Sequence, residues 1–282
     1  MADRAAALGR SAARSCHGGL VFRRWGCGPA LVLVHGGAGS WTHWVRNIEA
    51  LAAHFTVLAP DLPGFGESPD VPDDMSADGY LDWVADAMTQ AITDTANGVA
   101  ARNAGFIGFS YGGVVAAGVA ARIGPVARKL TLIGPGGFGE PVGRSIPLRK
   151  RPKDRDDLHA LREVTSHNLG LWMLSEPPPM DDPVIDLHLA NLARSRYDSR
   201  IIGWRPTLLP DLQRMGCYAQ VIWGAHDRLA HPSVESRRAL CQEARPDLQT
   251  TVLDDCGHWA QYACAQSVND LLLTFHASRD AD

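Results

Sequence analysis

The chain has no Cys-x-x-Cys pair and no cysteine-histidine cluster at zinc-ligand spacing, which removes the zinc-module and dithiol-redox readings. Its six cysteines, Cys16, Cys27, Cys217, Cys241, Cys256 and Cys264, are read as free thiols in a reducing compartment. A chain of 282 residues reaches stability without disulfide staples. No apolar run approaches the ~20 residues that cross a bilayer; the longest, Gly112 to Ala121, falls well short. With 27 basic against 31 acidic residues and a net charge of -4, there is no basic surface for nucleic acid and no charged tail. The run Arg149-Lys150-Arg151-Pro152-Lys153-Asp154-Arg155 is interrupted by proline and aspartate and reads as a solvated loop. Met1 to Arg14, rich in Ala and Arg, lacks the apolar core of a secretory signal and reads as a terminal arm. These absences leave a soluble, cytoplasmic protein whose partner is a small molecule, with no membrane or nucleic-acid role, and with homodimerisation the assembly left open.

What is present is a set of short, continuously apolar runs suited to strands buried on both faces: 31–34, 56–59, 105–107, 130–133, 219–223 and 250–253. Helical periodicity fills most gaps. Tyr80, Val84, Ala87, Met88 and Ile92 share one helical face, and 259–275 ends with Val268, Leu271, Leu272 and Phe275 at helical spacing. Alternation of strand and helix predicts an α/β fold with a mostly parallel central sheet flanked by helices. The pattern lapses between Gly136 and Met215, where Pro147, Pro152, Pro177 to Pro179, Pro183, Pro206 and Pro210 break a partly helical stretch too long for an ordinary loop. The expected organisation is a core domain of residues 1–136 and 216–282, with residues 137–215 inserted as a helical cap.

One stretch carries chemistry. Gly108-Phe109-Ser110-Tyr111-Gly112 follows an apolar strand and precedes a small-residue helix. A serine hydroxyl is a weak nucleophile and must be exposed and deprotonated at the moment of attack. A sharp strand-to-helix turn flanked by glycines achieves the exposure. The base expected for Ser110 is His258, in a late loop after Gly257, and the orienting acid is Asp227, at a strand end between the two in sequence. Asp254 and Asp255 compete for that role but lie close to His258 in sequence. His226, Asp227 and His231 lack a further ligand at telling spacing, so no metal is assigned.

Attack on a carbonyl creates an oxyanion that backbone N–H groups must hold. Tyr111, at the start of the helix, supplies one, and Gly37, in the loop His35-Gly36-Gly37-Ala38-Gly39-Ser40, supplies the other, with Gly36 placed against substrate. That loop has neither a Gly-Lys-Ser/Thr ending nor a Gly-x-Gly-x-x-Gly pattern, which argues against phosphate binding there.

Together these segments, with Asp61-Leu62-Pro63-Gly64-Phe65-Gly66-Glu67-Ser68 and Trp223-Gly224-Ala225-His226-Asp227, resemble the α/β-hydrolase family over nearly the whole chain. The resemblance implies a Ser-His-Asp triad, a cap, no cofactor, and a purely structural turn at 61–68. Ile133-Gly134-Pro135-Gly136-Gly137-Phe138-Gly139 and Cys256-Gly257-His258-Trp259-Ala260-Gln261 look like the meta-cleavage-product hydrolases, which split carbon-carbon bonds; there Trp259 would line the pocket. Two departures from that subgroup are Phe109 before the serine and His43 after the glycine loop, both where the pattern usually has asparagine. A phenyl ring in place of an amide suits an uncharged ester better than a charged dienol. The expected activity is therefore cleavage of a small carboxylic ester, with carbon-carbon hydrolysis of a dienoate or diketone, and a slow-turnover receptor, as alternatives. Trp172 is expected in the acyl pocket, and Arg194, Arg196 and Arg200 near it, with Arg196 the candidate for a substrate carboxylate.

Overall fold

In the computed structural model, residues 2–95, 103–154 and 156–278 are described; Met1 and Arg155 of the charged run lie outside them. Eight strands form one sheet: β1 (Ala13–His17), β2 (Leu20–Trp25), β3 (Ala30–Val34), β4 (Thr56–Pro60), β5 (Ala104–Phe109), β6 (Ala127–Ile133), β7 (Tyr218–Gly224) and β8 (Gln249–Leu253). Their order is β1-β2-β4-β3-β5-β6-β7-β8. β1 and β2 run antiparallel, as do β2 and β4, and the remaining six are parallel neighbours. This is the α/β-hydrolase fold.

The central strands are apolar on both faces because both are covered. Val32, Val34, Phe106, Leu130, Leu132 and Val221 face an apolar layer built by the Ala77–Thr95 and Tyr111–Ile123 helices. Their alternates Leu31, Leu33, Ile107, Ile133 and Ile222 face the opposite layer, where Ile48, Leu51, Val268 and Leu272 pack. Period-two alternation between two buried sides leaves little room for polar residues. Among the described residues, no helix is long and apolar enough to cross a membrane.

Three readings of the sequence need correction. The N-terminal arm is ordered: a helix, Ala2–Ser11, is tied to the sheet by the Trp25 indole, whose Nε1 donates to the Leu8 carbonyl at 2.9 Å. The β1–β2 hairpin escaped notice because Arg23 and Arg24 interrupt the apolar pattern of β2. Arg23 lies beside Glu67 at 2.5 Å and Asp61 at 3.3 Å, so its charge is matched at the sheet edge. The last helix is two, Ala260–Ala263 and Ala265–Ala277.

Asp61 also accepts from the N–H groups of Trp41 at 3.1 Å and Glu67 at 3.0 Å, so its carboxylate is used in closing the 61–68 turn. Four helices, Leu158–Trp172, Pro183–Ala193, Arg200–Gly203 and Leu208–Arg214, lie between β6 and β7. Asp157 and Asp182 cap the first two, accepting from Ala160 N and Val184 N at 2.9 Å each. The last contributes Leu208 and Leu212 to the same layer as the Tyr111–Ile123 helix.

His276 is half-buried and packs its ring against β5 and β6, with Nε2 2.9 Å from Thr131 Oγ1. Burial, reinforced by the nearby Lys129 charge, holds its pKa down to about 3, against 6.5 for an ordinary histidine. Below pH 6.5 the unfolded chain takes up a proton that the folded chain refuses. Stability contributed by the neutral ring is thus complete above pH 6.5 and declines as pH falls toward 3. Between pH 6.5 and 5 that decline is about 2 kcal/mol. Urea unfolding at pH 7 and pH 5 measures it: His276→Gln removes the titration and narrows the gap by that amount, whereas an unchanged gap contradicts the account.

Candidate active site

Ser110 occupies the turn between β5 and the Tyr111–Ile123 helix with φ 53° and ψ −119°, a region that residues with a side chain avoid. Three backbone hydrogen bonds hold it there. Its N–H donates to the Ile133 carbonyl at 2.9 Å, and its own carbonyl accepts from Gly113 N at 2.9 Å and Gly136 N at 3.2 Å. The flanking glycines are sterically required. A Cβ on Gly108 would fall 2.4 Å from the Gly112 oxygen, and one on Gly112 would fall 2.2 Å from the His35 oxygen and 2.4 Å from that of Val34.

Asp227 follows β7 and His258 follows β8, and the two side chains meet although 31 positions separate them: His258 Nδ1 lies 2.8 Å from Asp227 Oδ2. Both are nearly inaccessible, at 3% and 1% side-chain exposure, so the pair is shielded from solvent competition. The second carboxylate oxygen, Oδ1, accepts from Leu229 N at 2.8 Å, which fixes the carboxylate plane. A carboxylate oxygen only accepts, so Nδ1 carries the hydrogen and Nε2 presents a lone pair. His258 Nε2 is buried and has no hydrogen-bond partner. Asp254 and Asp255 are exposed, and only Asp227 bonds the ring.

Ser110, Asp227 and His258 open onto one cavity of about 430 Å³, which Gly37 and Tyr111 also line. No hydrogen bond joins the serine hydroxyl to Nε2. Tyr111 stands at the first helical position, where a backbone N–H has no intrahelical acceptor and the helix dipole is positive. Gly37 lies beside Tyr111: a Cβ on it would fall 3.8 Å from the Tyr111 Cβ and 2.4 Å from the Ser199 Oγ. The next residue, Ala38, takes φ 50° to turn the loop along the cavity wall. Two N–H groups of this kind on either side of a nucleophile can receive an oxyanion.

Phe109 and Trp172 also line the cavity. The Phe109 ring lies 4.9 Å from that of His258 and 5.4 Å from that of His43. The Trp172 indole N–H is buried without a partner. Gly36, His43 and Trp259 are not among the lining residues; they form the layer behind. Gly36 N donates to His43 Nδ1 at 3.2 Å, and the Trp259 indole donates to the His43 carbonyl at 3.0 Å. Their role is to brace the loop of Gly37. Arg196 is likewise not in the wall, and its expected grip on a substrate carboxylate gives way. Its guanidinium donates to the Ser68 carbonyl at 2.6 Å and pairs with Asp70, which fastens it to the 61–70 turn. Arg200 does reach the wall but pairs with Asp198 at 2.6 Å, and Arg194 points toward Glu67, 3.8 Å away.

Three titratable lining residues went unnoticed in the sequence: His188, Arg144 and Arg237. None belongs to a motif, and each is delivered by tertiary packing. Burial, together with the Arg151 charge, holds the His188 pKa down to about 4. His43 is also held well below the usual histidine range, by burial and by the neighbouring imidazoles of His35, His188 and His258. Both rings are therefore neutral at physiological pH.

The profile of the alpha/beta hydrolase family matches residues 31–271. Similar proteins include the 2-hydroxy-6-oxo-6-phenylhexa-2,4-dienoate hydrolase of Burkholderia cepacia, 27% identical over 271 residues that span 90% of this chain and 89% of the relative. A 2-hydroxy-6-oxononadienedioate/2-hydroxy-6-oxononatrienedioate hydrolase of Paraburkholderia phymatum is 29% identical over 262 residues, 87% of this chain and 86% of the relative. Among solved structures, a meta-cleavage product hydrolase from Pseudomonas fluorescens superposes with a TM-score of 0.72 at 21% identity, covering 94% of this chain and 97% of that one. A putative aryl esterase from Burkholderia cenocepacia gives 0.70 at 20% identity, covering 95% and 100%. At such identities the superpositions speak to fold.

Because the Cβ of an alanine at 112 would meet two backbone carbonyls that cannot swing aside, Gly112→Ala is expected to cost about 3 kcal/mol. That corresponds to a melting temperature lower by roughly 6–12 °C in a domain of this size. Differential scanning calorimetry reads the shift, and a change under about 2 °C would mean that the helix and the glycine loop are not in contact.

Proposed function

The chain belongs to the alpha/beta hydrolase family, and from that premise we propose that it is a serine hydrolase cleaving a small carboxylic ester. One observation carries the reading: a buried imidazole oriented by Asp227 and turned, with its lone-pair nitrogen unoccupied, into the cavity that holds Ser110. In this mechanism His258 Nε2 takes the Ser110 proton as Oγ bonds to the substrate carbonyl carbon. Catalytic hydrogen bonds of this type tighten as substrate enters. The Tyr111 and Gly37 N–H groups receive the negative oxygen. Collapse of the tetrahedral intermediate breaks the ester bond, and His258 returns the proton to the departing alcohol. Water, deprotonated by the same nitrogen, then attacks the acyl-serine and releases the acid. Asp227 holds the ring in one tautomer and stabilises its positive charge through each proton transfer.

Residues 137–215 act in this reading as a cap over a core of 1–136 and 216–282, closing the cavity with Trp172 and His188. Packing places the Leu208–Arg214 helix with the core layer. Phe109 and the neutral rings of His43 and His188 surround the reacting end with uncharged groups, which suits an ester carbonyl. Carbon-carbon hydrolysis is the second reading, favoured by the names of the relatives in Burkholderia and Paraburkholderia. It would use the same triad: Ser110 Oγ or an activated water adds to a ketone carbon, the adjacent carbon-carbon bond breaks, the departing carbon takes a proton, and the acyl part leaves as the acid, after hydrolysis of the acyl-serine where the serine has attacked.

For wild-type protein and Ser110→Ala, turnover of 4-nitrophenyl butyrate is the direct measurement. The variant is expected to lose at least about 10³ in kcat with no loss of melting temperature. Near-normal rates in the variant would remove Ser110 from the mechanism. Negligible turnover by the wild type, with tight ligand binding, would point instead to a receptor. Incubation with 2-hydroxy-6-oxo-6-phenylhexa-2,4-dienoate, followed by its loss of yellow absorbance, separates the two hydrolytic readings: ester cleavage without bleaching assigns the first.

A further inference from the structure

Three arginines line the cavity and have no part in the mechanism; Arg200 is paired with Asp198, which leaves Arg144 and Arg237. Both are half-buried and line it beside Phe138, Leu229 and Ala230. Arg144 donates through Nη1 to the Leu229 carbonyl at 3.1 Å. The Arg237 guanidinium lies 4.1 Å from the centre of the Phe138 ring. Among the described residues, neither pairs with a carboxylate, whereas Arg23, Arg122 and Arg245, of similar burial, each reach one. The acid nearest in charge terms is Asp227, but its two oxygens are already taken by His258 and by Leu229 N.

Two guanidinium groups in this position repel each other. Burial lowers the pKa of both, opposed at Arg144 by the Asp227 charge and at Arg237 by Cys241, while the Arg144 charge adds to the fall at Arg237. A partly desolvated pair of like charges is unfavourable on its own and becomes favourable when an anion sits between its members. Their remaining N–H donors are directed along planar forks whose geometry matches a carboxylate. The stacking of Arg237 on Phe138 also fixes that guanidinium in one plane, which lowers the entropy lost when a ligand binds.

We propose that Arg144 and Arg237 form a carboxylate-binding subsite, so that the substrate carries a free carboxylate on a part of the molecule other than the ester being cleaved. The statement about what is cleaved rests on the serine-hydrolase reading; the statement about what is bound does not. It also amends the expectation of a wholly uncharged substrate. The reacting end is neutral, and the charge is carried at a separate wall of the same cavity.

Mono(4-nitrophenyl) esters of adipate, pimelate and suberate, set against 4-nitrophenyl hexanoate, heptanoate and octanoate, compare a terminal carboxylate with a terminal methyl at matched length. The wild type is expected to favour the charged ester by about tenfold or more in kcat/KM at one or more lengths. The charged-to-neutral ratio should fall at least tenfold in Arg144→Gln and in Arg237→Gln, and should recover most of its value in Arg237→Lys. No preference at any length, or a ratio that neither glutamine variant lowers, overturns the proposal. Calorimetric binding of monomethyl adipate and methyl hexanoate to Ser110→Ala reads the subsite without turnover. Preference there for the carboxylate, lost on adding Arg237→Gln, supports the subsite even where no ester is hydrolysed, in which case the hydrolase reading alone fails. Equal binding of the two ligands counts against the subsite whatever the turnover.

Discussion

The constraint on which the site depends is the close approach of the Tyr111–Ile123 helix to the ends of β3 and β5. Gly112 has no side chain because the carbonyls of Val34 and His35 occupy the space where a Cβ would stand. That contact draws the first turn of the helix against the loop carrying Gly37, so the two N–H groups proposed to share an oxyanion are held on either side of Ser110. It also leaves the serine no relaxed conformation. The positive φ of Ser110 is maintained by bonds to Ile133, Gly113 and Gly136, which belong to the next strand, the helix and the loop after β6. Strain of this kind, on the order of 1–3 kcal/mol, persists only where the surroundings impose it from several directions. Here three elements do so at once.

Electrostatics divides the cavity into two regions. Around Ser110 the imidazoles of His43 and His188 are kept neutral by burial, which in the proposed mechanism leaves the proton transfers to the His258–Asp227 pair. A charged His43 so close to His258 would oppose the imidazolium that the mechanism requires; its desolvation removes that competition. Elsewhere on the wall, Arg144 and Arg237 bring positive charge that, among the described residues, no carboxylate pairs with directly, Asp227 acting on Arg144 only at longer range. An ester with a remote carboxylate would match both regions, since its reacting carbonyl meets neutral groups and its anion meets the guanidinium pair.

The legibility of these features in the sequence follows from how local each one is. The elbow was readable because its requirements fall within five residues, and the parallel strands because burial on both faces leaves an unbroken apolar run. Asp227 and His258 needed only the assumption that strand ends share one edge of a sheet. The β1–β2 hairpin was hidden by Arg23 and Arg24: the Arg23 charge is satisfied by Glu67 and Asp61 far along the chain, and Arg24 is exposed. Arg196 misled for the complementary reason: its place in the cap suggested a guanidinium available to a substrate carboxylate, while its acceptors include backbone carbonyls of the 61–70 turn. His188, Arg144 and Arg237 carried no signal, since the first two depend on how the 137–215 segment folds back over the sheet and the third, on the Val234–Ala244 helix, meets Phe138 only through tertiary packing. Gly36, His43 and Trp259 were placed one layer too far forward, because proximity in sequence to a catalytic motif does not distinguish the wall from its support.

That support links substrate selection to catalysis. Trp259 N donates to the Met173 carbonyl at 2.7 Å, and Gly257 approaches so closely that a Cβ there would lie 2.8 Å from the carbonyl carbon of Leu174. The residues immediately before and after His258 are thus packed against the end of the Leu158–Trp172 helix, whose last residue, Trp172, lines the cavity. A side-chain change at 172–174 that shifts this helix end would also shift the backbone that aims the imidazole. Because a base must sit within hydrogen-bond reach of the proton it takes, in the proposed mechanism the segment that shapes the pocket would set the geometry of proton transfer as well. Pocket and base form one mechanical unit, and the glycine at 257 is what lets them touch.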